Sequence, residues 1–239
     1  PYEFYEKFRI RRYGFHGTSH GFVTEQIKEL TEKPNKDSLR LITCHLGNGS
    51  SIAAVKAGKS LDTSMGFTPL EGVMMGTRSG DMDPAIPLML QREDFGGPRT
   101  HQEVDTLLNK KSGLLGISGS SNDFRELHDS RDAGDERADL AVRMFSYKVR
   151  KYVGAYMAVL GGVDCIVFTA GVGENDDIVR ELVCENMEDM GILFDKEKNV
   201  GKKRKPELLT KPGSKVEVWV IPTDEELVIA RDTKRIVNG

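Results

Sequence analysis

The apolar residues of this chain recur with two different periods, and the switches between them mark out its elements. Phe22, Val23, Ile27 and Leu30 fall at helical spacing and predict a helix of about three turns, with Thr18 or Ser19 as its cap and a turn at 33–37 to end it. LRLITCHLG, SSIAAVKAG and KSLDTSMG follow, punctuated by Gly-Asn-Gly and Gly-Lys, and predict consecutive antiparallel strands in a meander. Asp83-Pro84 combines a capping aspartate with a proline suited to the first turn, so a helix is expected over 83–92, with a second over 102–110.

Ser121 or Asn122 is placed to cap a short helix carrying Phe124 and Leu127. Leu140, Ala141, Met144, Phe145, Val149, Tyr152, Val153, Tyr156, Met157 and Leu160 then sustain one helical period over 136–160, stopped by Gly161-Gly162. The continuous apolar run 163–169 predicts a strand covered on both faces. AGVGEN turns it into another helix carrying Ile178, Leu182, Val183, Met187 and Met190. A last strand over 216–221 leads into a helix over 223–237, with Thr223 and Glu226 spaced as a capping box. A meander followed by alternating helices and strands predicts an α/β layer structure with a mixed sheet. The basic stretch GKKRKPELLTKPGSK at 201–215 reads as a solvated loop.

Composition narrows the function classes. The 239 residues, 38% of them hydrophobic, can bury a substantial core. A formal net charge of −3 gives no general electrostatic attraction to nucleic acid or an anionic membrane, so neither is expected as a partner and any anion site must be local. Cys44, Cys165 and Cys184 lie in apolar or helical contexts without metal spacing, which suits reduced thiols in the cytoplasm. The longest apolar stretch, 155–173, is cut by Gly161-Gly162 and Asp164 and does not read as membrane-spanning. The opening PYEFYEKF has the composition of mid-chain sequence, so a preceding segment is expected to be missing.

Several short motifs can carry chemistry. In HLGNGSS (45–51), glycines and exposed amides between two strands either cradle phosphate oxygens or form a plain hairpin turn. FTAGVGEN (168–175) sits where a buried strand meets a helix, a usual ligand position in α/β sheets. Its spacing lacks the third glycine of the dinucleotide fingerprint, which disfavours a nicotinamide cofactor and leaves room for a purine nucleotide. Arg78, in GTRSGDMDP, is either a salt-bridge residue or a bidentate clamp on a carboxylate or phosphoryl group. Glu225 is either a metal carboxylate or negative charge in the first turn of a helix. His16 and His20 are four apart, but Gly17 and the helix cap put one before the helix and the other inside it, so they do not form a zinc pair.

The succession YGFHGTSH, HLGNGSS, SMGFTPLEGVMMGTRSGDMDP, GISGSSNDFREL, FTAGVGEN and IPTDEEL is similar to the acetate and propionate kinase family, within the actin-like and sugar-kinase superfamily. The resemblance covers essentially the whole chain. It implies an actin-like, ribonuclease H-like lobe and a reversible transfer of the ATP γ-phosphoryl group to acetate or another short-chain carboxylate, with Mg²⁺. By the family pattern, His16 and Arg78 stabilise the transferring group, and His45, Leu46, Gly47, Asn48 and Gly49 line the phosphates. Asp123, Phe124 and Arg125 meet the nucleoside end; Gly171, Val172, Gly173, Glu174 and Asn175 cover the adenosine; Glu225 binds Mg²⁺. The resemblance also implies that 1–37 leads in from a missing N-terminal lobe, that 38–239 is a C-terminal nucleotide-binding and homodimerisation lobe, and that this polypeptide alone is impaired in catalysis.

Overall fold

The computed structural model describes residues 1–96 and 99–238, except the side chains of Glu225, Asp232 and Asn238. Its centre is a six-stranded mixed sheet made of β1 (Arg40–Leu46), β2 (Ser50–Lys56), β3 (Lys59–Thr63), β4 (Cys165–Thr169), β5 (Glu207–Leu208) and β6 (Glu217–Val220), in the order β3-β2-β1-β4-β6-β5. The expected meander is present: β1 pairs antiparallel with β2, and β2 with β3. β1, β4 and β6 run parallel to one another.

Side-chain alternation gives the sheet two faces. Ile42, Cys44 and Leu46 of β1, Ile52 and Ala54 of β2 and Ile166 and Phe168 of β4 pack in one core with Phe145, Val149 and Val153 of the helix Glu136–Leu160. Leu41, Ala53, Val55, Cys165 and Val167 face the other way, beneath Val23 and Ile27 of the helix Gly17–Leu30. At its upper end this second face changes character: Thr43, His45 and Ser51 continue the same alternation as buried polar residues. The three cysteines are free and buried, and burial pushes the Cys44, Cys165 and Cys184 thiols upward.

The long helix has the predicted bounds, capped by Asp135 and closed by Gly161 in the left-handed region at φ 66°. Other ends move for identifiable reasons. The Gly17–Leu30 helix is capped by His16, itself left-handed at φ 58°, and not by Thr18 or Ser19, which lie inside it. Asp123 rather than Ser121 or Asn122 caps Phe124–Asp132, its carboxylate accepting from the Arg125 amide. AGVGEN forms a short helix, Ala170–Asn175, and Asp176 caps a new one, Asp177–Cys184, so Met187 and Met190 fall beyond it. Thr223 forms no capping box because its amide donates to Glu174 and its hydroxyl to Ser19; Asp224 accepts from the Leu227 amide instead, ahead of the helix Glu225–Asn238.

The helix expected after Asp83-Pro84 is confined to Ile86–Met89. Ile86, Leu88 and Met89 are exposed there, and a helix without an apolar face to bury is marginal. The stretch 201–215 is more structured than a solvated loop: it contributes β5, which pairs with β6, and buries Leu209 and Thr210.

Candidate active site

In an open α/β sheet, ligands bind beyond the carboxyl ends of the parallel strands. Here β1 runs into Gly47-Asn48-Gly49, β4 into Ala170–Asn175, and β6 into Thr223, so these three sequence-predicted segments converge on one edge of the sheet. The hairpin turn is internally braced, the Gly47 amide donating to Gly49 O and Ser50 Oγ, both at 3.2 Å. Asn48 is held from outside. Its carbonyl accepts from the Gly76 amide at 3.1 Å and its Oδ1 from Asn122 Nδ2 at 3.0 Å.

On one side of Asn48 lies a cleft of about 460 Å³. The structure brings to it Gly47, Asn48, Asp123, Phe124, Arg125, Gly171, Val172 and Asn175, all expected from the sequence. Arg125 pairs with Asp123 at 2.5 Å, and the hydrogen bonds from its side chain and amide hold the Asp123 carboxyl down at about 2. Asn122, His128, Asp176, Asp177 and Lys202 also line the cleft, and sequence reasoning missed them as site residues. His128 Nε2 lies 2.8 Å from Asp176 Oδ2, across 48 residues of sequence. Asn122 carried a signal as a candidate helix cap, and Asp176 as a residue placed to cap an apolar helix face.

On the other side of Asn48 is a hollow of about 720 Å³ bordered by Thr77, Arg78, Asn109 and Lys110. Arg78 makes no carboxylate pair among the described residues; Nη1 donates to Pro69 O at 3.3 Å. A Cβ built on Gly49 would lie 3.4 Å from Arg78 Nη1 and 3.6 Å from both Cε1 and Nε2 of His16, so the bare glycine lets both side chains close over the turn. His16 and Arg78 therefore flank the segment expected to carry phosphates.

His16 is anchored from behind. Its ring stacks on His45 with centroids 4.0 Å apart, and its Nδ1 lies 2.9 Å from Ser51 Oγ. His45 Nδ1 meets Ser19 Oγ at 2.8 Å. Both nitrogens of His20 are engaged, Nδ1 with Thr43 Oγ1 and Nε2 with Ser51 Oγ, each at 2.7 Å, so neither is available to a metal. Burial, then the neighbouring imidazoles, lowers His20 to about 3; burial, then His16, lowers His45 to about 4. Both rings are neutral at pH 7.

Three expected residues contribute as supports, Leu46 and Gly173 buried and Glu174 half-buried. Leu46 packs in the core. Gly173 lies against Phe168 and Cys44 and offers its carbonyl to Arg180. Glu174 accepts from the Thr223 amide at 3.0 Å, and its pKa is raised by burial. Glu225 opens the last helix, and its side chain lies outside the described residues. Among the described residues, no three His, Cys, Asp or Glu side chains gather as a metal-ligand set. A magnesium carried mainly by nucleotide phosphates and water needs only one or two protein carboxylates.

The sequence matches the Acetokinase family over residues 1–231. The chain belongs to this family. An acetate kinase of Dictyoglomus thermophilum is 56% identical over 238 residues, an alignment covering 100% of this chain and 58% of that protein. The crystal structure of Porphyromonas gingivalis acetate kinase has a TM-score of 0.94 at 52% identity, covering 99% of this chain and 58% of that one. A propionate kinase from Francisella tularensis has a TM-score of 0.87 at 42% identity, covering 97% and 58%. The acetokinase chain thus spans about 58% of the length of these relatives. No helix among its described residues is long and apolar enough to cross a membrane.

Proposed function

We propose that this chain is the nucleotide-binding part of an acetate kinase, which transfers the γ-phosphoryl group of ATP to acetate, reversibly, giving acetyl phosphate and ADP. One observation carries the reading: Asn48 stands at the common border of a cleft reaching Asp123 and Gly171 and a hollow containing Arg78. A nucleoside lying in the cleft directs its phosphates across the backbone of Gly47–Gly49 toward His16 and Arg78. Phosphoryl transfer to a carboxylate joins two anions, so the protein's work is positioning and charge neutralisation. Arg78 supplies a fixed cation and His16 a hydrogen-bond donor; the amides of the hairpin turn orient the phosphates.

Mg²⁺ would supply neutralisation of the phosphate charge when bound. Glu225 is assigned as its carboxylate from the family pattern. The lobe boundary near residue 38, a homodimer formed through this lobe and a cytoplasmic setting belong to the same proposal; three buried free thiols support a reducing compartment.

The test uses the complete protein and this 239-residue chain side by side. The complete protein is expected to form acetyl phosphate from ATP and acetate, trapped as the hydroxamate, with acetate preferred over propionate and butyrate. The chain alone is expected to bind ADP weakly in calorimetry, to scatter light as a dimer, and to turn over slowly or not at all. Robust turnover by the chain alone overturns the assignment of an essential second lobe. Absence of acyl phosphate from the complete protein overturns the kinase reading.

A further inference from the structure

Ser51 sits between two imidazoles and has one hydroxyl proton to give. Its Oγ lies 2.9 Å from His16 Nδ1 and 2.7 Å from His20 Nε2, while His20 Nδ1 lies 2.7 Å from Thr43 Oγ1. Ser51, Thr43 and His20 are buried, with 0%, 0% and 7% of their surface exposed, so bulk water does not compete for these bonds. A neutral imidazole has one N–H and one bare nitrogen, and the hydrogen bond at one nitrogen fixes the role of the other.

Among the described residues Ser51 Oγ meets no third hydrogen-bond partner, so its buried proton goes to one ring or the other, and with both imidazoles neutral these constraints leave two arrangements. If the Ser51 hydroxyl donates to His16 Nδ1, it must accept from His20 Nε2–H, and the bare Nδ1 of His20 accepts from Thr43. His16 then carries its proton on Nε2. If the Ser51 hydroxyl donates to His20 Nε2, it accepts from His16 Nδ1–H, and His20 Nδ1–H donates to Thr43. A neutral His16 then presents a bare Nε2.

We propose that Ser51 is a positioning residue that couples the tautomers of His16 and His20, so that both rings carry their proton on Nε2 or both carry it on Nδ1. The Nε2 edge of His16 is the edge that lies with Arg78 over Gly49. The first arrangement therefore aims a neutral N–H at the place where Arg78 aims its guanidinium, and an anion bound there selects it. The stack with His45 holds the His16 ring plane in which that N–H points. The identity of the anion as a phosphoryl group rests on the kinase reading; the coupling itself does not. His20 thereby reaches the reacting group through Ser51 and is a positioning residue as well.

Long-range ¹H–¹⁵N correlation spectra of the protein with labelled histidine, at pH 8, report the tautomer of each ring. His16 and His20 are expected to show the same tautomer in the wild type, and unlike tautomers overturn the proposal. In Ser51→Ala, His16 is expected to shift to an exchanging mixture of tautomers, while Ser51→Thr, which keeps a hydroxyl, restores the wild-type pattern. An unchanged His16 in Ser51→Ala overturns the coupling. If that variant does not fold, the wild-type comparison still decides. In the complete enzyme, Ser51→Ala is expected to lower kcat about tenfold with KM for ATP nearly unchanged. An unchanged kcat, or a loss confined to KM, removes the positioning role. If the wild-type protein forms no acyl phosphate, the kinase reading fails while the spectra still settle the coupling.

Discussion

The rings of His16 and His45 stack with their planes 17° from parallel, one at the cap of a helix and the other near the end of the central strand. The contact ties the left-handed His16 backbone to the sheet and sets the ring edge that lies with Arg78 over Gly49. In the complete enzyme, His16→Ala is expected to reduce kcat by about a hundredfold or more while ATP affinity changes little. His20→Ala, which strands the buried hydroxyl of Thr43 and leaves Ser51 with His16 alone, is expected to cost about 2–4 kcal/mol in urea unfolding and to slow turnover less than His16→Ala. Equal losses of rate in the two variants would undo this division of labour.

The same cluster sets a pH dependence. His20 and His45 have folded values near 3 and 4, below the ordinary 6.5, so between those values and 6.5 the unfolded chain holds more protons than the folded one. Their contribution to stability is complete above pH 6.5 and declines as pH falls, by about 1 kcal/mol per pH unit per histidine below pH 6. Urea midpoints measured from pH 7.5 to 5 should fall accordingly, with a shallower slope in His45→Gln. A midpoint flat between pH 7 and 5 contradicts the assignment.

Gly76 isolates the role of Asn48. A Cβ there would come within 2.0 Å of Asn48 Oδ1, the atom that accepts from Asn122. Gly76→Ala should displace the Asn48 side chain and weaken ADP binding about tenfold in calorimetry, with a stability loss of about 1 kcal/mol. Unchanged affinity would show that Asn48 contributes only backbone to the site.

Arg180 is fully buried and donates to Asn199 Oδ1, Gly173 O, Asn199 O and Gly201 O. It fastens the segment that carries Lys202 into the cleft to the helix Ala170–Asn175. Arg180→Lys substitutes a point charge for a planar fork and leaves carbonyls unpaired, so about 3 kcal/mol of stability and part of the ADP affinity should be lost together. Lys202→Ala should weaken ADP binding without moving the urea midpoint. If Lys202→Ala leaves ADP binding intact, the lysine is not a nucleotide contact.

Elements governed by local periodicity were legible in the sequence. The helix Glu136–Leu160 and the meander follow from spacing and turn residues, and the segments that meet at the sheet's carboxyl edge were each visible as glycine-rich or capped motifs. What escaped depended on tertiary partners. Thr223 has capping-box spacing, yet Glu174 and Ser19 claim its amide and hydroxyl. His20 reads as a helix residue until the sheet brings Thr43 and Ser51 to its two nitrogens. His128 and Lys202 belong to helices and loops distant in sequence, and nothing in their neighbours distinguishes them from surface charge. The pairing of β5 with β6 has the same origin, since Glu207–Leu208 is too short to show a period.

The strand that ends in the Gly47–Gly49 turn is laddered antiparallel on one side and parallel on the other. Shifting that turn by one residue would break both ladders and exchange the apolar and histidine-bearing faces beneath it. The floor of the site can therefore open only when the sheet opens. Its amides should be among the last to exchange with deuterium, and adaptation to ligands of different size is left to the walls: the segment that carries Lys202 and the loop around Arg78.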